Sequence, residues 1–333
     1  MTAARREVFE LACGSTRASL LFRHEGVVLW QRQKGGGVNL SGLESMAEQL
    51  EQSGEYRVLR RLSPNQAVEA PNGGLVRRGL YVDVETTGLD PAVDEIIELA
   101  MVPFTYGTDG RITEVGEAFE GLRQPAEPIP AHITAITGID DVMVAGRSID
   151  PEAVARFAGR ADLIVAHNAA FDRRFLERFR PVFVTKPWAC SMTQIDWGDE
   201  GHEGVKLAYL AMGAGFFYDG HRAVHDCAAG IALLASRMPR SGERALAKLL
   251  ERARAPTWRI WAEGAPFDLK DVLKARGYRW NAEGLGGPKA WFTDVSEADK
   301  ADELEFLARD IGLGDREPLV RKVNAYDRFS ERC

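Results

Sequence analysis

Between residues 78 and 238, short apolar runs alternate with stretches of helical periodicity. That alternation constrains the fold more than any other feature of this 333-residue chain. Residues 80–84 form a short apolar strand. Residues 96–106 and 111–119 predict two further strands, joined through Gly107-Thr108-Asp109-Gly110. A short helix is expected within 128–137 and another over 151–157. The apolar run 163–166 ends in His167-Asn168, the pattern of a buried strand. Residues 170–179 are helical, with Phe171, Phe175 and Phe179 at four-residue spacing, and 207–212 and 223–236 complete the helices. Strands and helices in this order predict an α/β core, a mixed sheet flanked by helices, with functional residues gathered at strand ends and in the loops beyond them.

The flanks differ. In residues 1–75, apolar runs at 19–22 and 27–30 are split by His24-Glu25-Gly26 and predict a hairpin. Gly35-Gly36-Gly37 breaks the chain. Leu43, Met46, Ala47 and Leu50 then recur at helical spacing before Gly54, and 55–62 suggests a strand. Pro64, Pro71 and Asn72-Gly73-Gly74 mark a linker. Residues 254–333 hold four of the seven tryptophans, Trp258, Trp261, Trp280 and Trp291. A helix is expected over 269–276 with Gly277 as its stop, then a strand, then a helix over 303–309. Three segments follow: a small N-terminal α+β extension (1–75), the α/β core (78–238) and a small Trp-rich C-terminal α+β domain (254–333).

Net charge is −7, unevenly spread. Residues 79–253 carry 17 Lys/Arg against 26 Asp/Glu, while 1–78 and 254–292 are each net +3. An acidic pocket that holds divalent cations can still act on a polyanion, because the ions reverse the local sign. No apolar run approaches bilayer length, and the first residues lack an apolar core of signal-peptide length, so no membrane association and a cytoplasmic location are expected. Cys13, Cys190, Cys227 and Cys333 are scattered without a C-x-x-C pair, which argues against a zinc site or a disulfide framework. Cys227 is expected as a small core residue.

The chemistry lies in three clusters. Asp83 and Glu85 are two apart on a strand, so their carboxylates share a face at its end. Held close and buried, they would repel unless a cation sat between them, and Mg²⁺ or Mn²⁺ suits such hard oxygen ligands. A lone pair of this kind is more often an exposed, solvated strand end. Asp172 falls in the first turn of a helix, where the macrodipole favours an anion. His221 precedes a helix and Asp226 lies inside it. A histidine at that mouth is suited to accept a proton near neutral pH. His225 would face another way, as a packing or surface residue.

Together these clusters resemble the three motifs of the DEDDh (DnaQ-like, proofreading) 3′→5′ exonuclease superfamily. They are Asp83-Val84-Glu85-Thr86-Thr87-Gly88, His167-Asn168-Ala169-Ala170-Phe171-Asp172 and His221-Arg222-Ala223-Val224-His225-Asp226. Further similarity lies in Ile96-Ile97-Glu98, Pro128-Ile129-Pro130 and Thr137-Gly138-Ile139. The spacing of five from His221 to Asp226 fits the histidine subgroup; the tyrosine subgroup would need Tyr where Arg222 stands. The resemblance covers about 78–238. It implies a ribonuclease H-like fold with a five-stranded mixed sheet, and two-metal hydrolysis of the terminal phosphodiester to give nucleoside 5′-monophosphates. By that analogy Asp83, Glu85 and Asp226 hold one ion, Asp83 bridges to a second, and Asp172 anchors the second ion's shell. His221 would be the general base. Thr86, Thr87, Leu89, His167, Asn168 and Phe171 would shape the pocket for the 3′-terminal nucleotide, with core packing the other reading of Phe171. Glu98 would support the ligands or be a buried partner.

DNA, single-stranded or frayed at its 3′ end, is the favoured substrate. RNA is the alternative on the same fold. A non-catalytic interaction module is a third reading, against which stand all five site residues. The aromatic and basic mix of 258–292 makes Trp258, Trp261, Trp280 and Trp291 candidate nucleic-acid contacts, although a small core needing large side chains explains any one of them as well. A polymerase or repair protein would dock through 1–75 or 254–333.

Overall fold

A computed structural model describes residues 21–24, 27–30, 40–63, 68–314 and 317–333. They divide into two units, 1–58 and 59–333. In the first, β1 (Leu21–His24) pairs antiparallel with β2 (Val27–Trp30), and α1 (Leu40–Gln52) follows, as the apolar runs predict. The expected triple-glycine break at 35–37 lies outside the described residues, as does Pro64.

The second unit runs β3 (Arg60–Arg61), β4 (Val76–Thr86), β5 (Ile96–Gly107), β6 (Ile112–Val115), β7 (Phe119–Leu122), α2 (Ala131–Thr137), α3 (Asp141–Val144), α4 (Pro151–Gly159), β8 (Leu163–Ala166), α5 (Ala169–Phe179), β9 (Trp188–Cys190), α6 (Leu207–Gly213), β10 (Phe216–Phe217), α7 (Ala223–Ala235), α8 (Ala245–Arg254), β11 (Thr257–Ala262), α9 (Lys270–Ala275), β12 (Arg279–Trp280), β13 (Trp291–Val295), α10 (Lys300–Arg309) and β14 (Val320–Val323).

The main sheet is mixed, as expected, in the order β6-β5-β4-β8-β9, with β7 also on β5. It has six strands rather than five. The run expected as one strand over 111–119 breaks at Gly116, whose backbone N–H bonds Pro103, and β6 and β7 pair separately with the long β5. The strand expected over 55–62 shrinks to β3, which pairs in parallel with β10 inside the second unit. Helix α8 was not anticipated, although Leu246, Leu249, Leu250 and Ala253 have helical spacing and are buried.

Helices cover both sheet faces. Leu80, Val82 and Val84 of β4 enter one core with Val154 of α4 and Phe175 of α5. Tyr81 enters the other, with Cys227 and Ile231 of α7 and Leu249 of α8. Alternation along β4 therefore turns Asp83 and Glu85 toward the face that α7 covers. Helix α7 approaches closely there: a Cβ on Gly230 would lie 2.1 Å from the Tyr81 ring. Cys227 is buried between β4 and β5, as expected, with its thiol near the Tyr81 and Ala100 carbonyls.

Residues 257–323 build a four-stranded antiparallel sheet, β12-β13-β11-β14. Ile260, Ala262, Leu273, Tyr278 and Leu307 form its core against α9 and α10. The segment after β14 returns to the first sheet. Arg173 of α5, fully buried, donates to the carbonyls of Arg328 (2.6 Å) and Tyr326 (2.7 Å). Among the described residues, no helix is long and apolar enough to cross a membrane.

Candidate active site

The site forms where β4 ends and where α5 and α7 begin. One carboxylate oxygen from each of Asp83, Glu85 and Asp226 lies within 4.8 Å of the others. Asp172, in the first turn of α5, is buried, and its Oδ1 accepts the backbone N–H of Val84 at 3.2 Å, between the two strand acids. All four acids expected from the sequence thus converge. His221 stands exposed just before α7, in the left-handed region at φ 63°. Asn168, just before α5, is also left-handed, at φ 77°. Backbone of this kind is uncommon for a residue with a Cβ, and asparagine and histidine tolerate it better than most.

Crowding sets the protonation of these acids. Burial holds the Asp83 carboxyl well above the usual range, and the negative charges of Asp172, Asp226 and Glu85 add to the shift. Burial, then Asp226 and Glu98, push Glu85 up to about 7, against the opposing pull of Arg222. Burial pushes Asp172 up to about 8, against the backbone N–H groups that its carboxylate accepts. Burial also raises Asp226, partly offset by the Tyr218 hydroxyl. Four acids that resist ionisation beside one another lack positive charge, and a divalent cation would supply it. Asp226 gives a more local sign. Its Oδ1 accepts the Tyr218 hydroxyl at 2.9 Å, while its Oδ2 is buried with no hydrogen-bond partner among the described residues. A buried carboxylate oxygen left bare beside two other carboxylates has the chemistry of a ligand for a hard cation.

Glu98 was expected as a support or a buried partner, whereas the roles of Arg222 and Tyr218 were not anticipated. Glu98, across the strand pair from Glu85, is buried and takes the Arg222 guanidinium through both oxygens, the shortest contact being 2.7 Å. It also accepts the Ala223 N–H at 2.9 Å and so caps α7 from the neighbouring strand. A lone acid inside the apolar run 96–99 signals a buried cationic partner, but nothing in the sequence points to Arg222. Tyr218 has no sequence signal either. His225 bonds the Asp219 carbonyl at 2.8 Å and is exposed, a surface residue as expected.

The residues expected around a terminal nucleotide divide by what already engages them. Thr86 donates to the Gly88 carbonyl at 2.5 Å, and the Thr87 hydroxyl bonds Asp94 and the Glu95 N–H. Both shape the turn after β4. His167 uses both ring nitrogens: Nε2 donates to the Val205 carbonyl at 2.7 Å, which leaves Nδ1 to accept the Ser191 hydroxyl at 2.9 Å. Burial lowers its pKa. Phe171 is half-buried against Phe175, with ring centroids 5.0 Å apart. Leu89, 80% exposed, and Asn168 remain open at the mouth.

The four C-terminal tryptophans do not form one surface. Trp258, Trp280 and Trp291 alternate onto the face that carries Ile260 and Ala262, toward α9 and α10. Trp258 bonds Glu297 and lies under the Lys300 ammonium, 3.6 Å from its ring centroid. Trp261 is on the opposite face but only 1% exposed, so its ring has no free surface for a base.

Residues 80–234 match the family model described as "Exonuclease". That stretch contains all five residues expected to form the site, Asp83, Glu85, Asp172, His221 and Asp226. Among curated relatives, a DNA polymerase III subunit epsilon-like protein of Rhodobacter capsulatus is 44% identical over 99 residues, 29% of this chain and 14% of that protein. A PolC-type DNA polymerase III of Thermotoga petrophila is 35% identical over 142 residues, 42% of this chain and 9% of that protein. The chain thus spans a small fraction of the curated relatives it matches. Among solved structures, "Exonuclease X in complex with 5′ overhanging duplex DNA" aligns at 27% identity and a TM-score of 0.40, over 52% of this chain and 98% of that one.

Proposed function

We propose that the protein is a metal-dependent 3′→5′ exonuclease that hydrolyses the terminal phosphodiester of a DNA strand and releases nucleoside 5′-monophosphates. The observation that carries this reading is the convergence of Asp83, Glu85 and Asp226 within 4.8 Å, inside the stretch that matches the exonuclease family model. Those three carboxylates would hold Mg²⁺ or Mn²⁺, with Asp83 shared between two ions and Asp172 close by. Two such ions supply positive charge that stabilises the attacking and leaving oxygens of the phosphodiester. His221 takes the proton from the attacking water. The water oxygen bonds to phosphorus, the bond to the 3′ oxygen breaks, and that oxygen is protonated from solvent. Glu98 and Arg222 hold the start of α7, which fixes His221 and Asp226 together. Leu89 and Asn168 would meet the terminal nucleotide. The names of the relatives also favour a DNA polymerase as partner, meeting the chain through 1–75 or 254–333.

Purified protein incubated with Mn²⁺ and labelled single-stranded DNA and RNA of one sequence tests the substrate. Faster shortening of the DNA from its 3′ end is expected. Equal or faster trimming of the RNA would overturn the DNA assignment.

A further inference from the structure

The outer face of the C-terminal sheet is built unlike an ordinary solvated face. An antiparallel sheet with helices on one side usually presents scattered polar residues on the other. Here β11 turns Thr257, Arg259 and Trp261 outward, since Ile260 and Ala262 point to the core. Their cross-strand partners continue the pattern. Arg259 faces Asp294 on β13 and Arg321 on β14, and Trp261 faces Phe292, which faces Arg279 on β12. Guanidiniums and rings interleave: Arg259 and Arg279 lie 4.6 and 4.9 Å from the Phe292 centroid, and Arg321 lies 5.4 Å from Trp261. Asp294 is shared between Arg259 at 2.8 Å and Arg279 at 3.3 Å, so one acid balances two cations.

Two donors on this face have no partner among the described residues. They are the Trp261 Nε1–H and the Thr257 hydroxyl, both buried. The face forms one wall of a groove of about 740 Å³, whose other wall includes Asn168 and Ala170 at the start of α5, a few residues from Asp172. Arg252 of α8 also lines it, exposed and with no carboxylate partner among the described residues.

We propose that this groove holds the single-stranded polynucleotide upstream of the 3′ end that enters the Asp83 site. The inference rests on the exonuclease reading for its direction, and the groove's chemistry recognises the strand. Arg252 and Arg279 meet phosphates. Phe292, between its guanidiniums, offers an aromatic surface to a base. Strand alternation turns Trp258, Trp280 and Trp291 to the other face of the sheet, so within this groove the arginines and Phe292 supply the contacts.

The test uses the full chain with Arg252→Glu and Arg279→Glu combined, two exposed positions outside the catalytic cluster. Binding of a fluorescein-labelled 12-mer of thymidylate is measured in chelator across a salt series. Hydrolysis of the p-nitrophenyl ester of thymidine 5′-monophosphate, which has no upstream strand, is measured with Mn²⁺. The groove predicts at least about tenfold weaker 12-mer binding, and a salt dependence shallower by about 1.4 in log–log slope for two lost phosphate contacts. Turnover of the small ester should be unchanged. Unaltered 12-mer affinity and slope would overturn the groove while leaving the exonuclease reading intact. A wild-type protein that binds the 12-mer through these arginines yet cleaves neither substrate would overturn the exonuclease reading and keep the groove.

Discussion

Replacing Tyr218 with phenylalanine removes one oxygen and isolates what holds Asp226 in place. The Tyr218 hydroxyl donates to Asp226 Oδ1 at 2.9 Å. Burial and the adjacent Asp226 raise the phenol's pKa far above its ordinary value, so the group stays a donor at any working pH. A hydrogen bond to a charged acceptor contributes about 1.5–3 kcal/mol. The backbone N–H groups of His221 and Arg222 also favour the charged form of this carboxylate and remain in the variant, so the lower end applies, which corresponds to about tenfold in an equilibrium constant. Tyr218→Phe should therefore weaken Mn²⁺ binding by about tenfold in calorimetry. Raising Mn²⁺ to saturation should restore most of the turnover, since no group that touches substrate is lost. Mn²⁺ affinity equal to wild type would refute the idea that Tyr218 aims the bare Oδ2 at a cation.

Further outcomes follow from the same geometry. The raised carboxyls of Glu85 and Asp172, at about 7 and about 8, bind protons in the folded state that the unfolded chain has released. Their contribution to stability is present below the unfolded values and is lost as pH rises through 7 to 8. In chelator the melting temperature should fall between pH 5 and pH 8, and Mn²⁺ should raise it more at pH 8 than at pH 5; a melting temperature that rises over this range in chelator would contradict the burial of these acids. His221→Ala should slow hydrolysis by roughly 10²–10⁴ with Mn²⁺ affinity nearly intact, whereas His225→Ala, whose ring bonds the Asp219 carbonyl, should stay close to wild type. The reverse ranking in steady-state rates would move the general base to His225.

What was legible in the sequence was local. Asp83 and Glu85 share a face because strands alternate, and Asp172 and His221 fall at helix starts because capping and turn chemistry is written over a few residues. The alternation of apolar runs gave the mixed sheet for the same reason. What was not legible depended on pairing across long separations. Arg222 and Glu98 are 124 positions apart; Tyr218 and Asp226 are close in sequence, but their contact is set by the turn between β10 and α7, which no periodicity records. The split of β6 from β7 depends on how Gly116 packs against Pro103. For the tryptophans, abundance shows neither which face of a strand a ring takes nor whether another side chain lies over it, as Lys300 lies over Trp258.

The central claim is that Asp83 anchors a metal site for removing nucleotides from a 3′ end. It is tested most directly by following a 5′-labelled single-stranded oligonucleotide with Mn²⁺, using wild type and Asp83→Ala side by side. Stepwise shortening from the 3′ end by the wild type, abolished in Asp83→Ala and by chelator, is the predicted result. No shortening by the wild type, or shortening that survives the substitution, would contradict it.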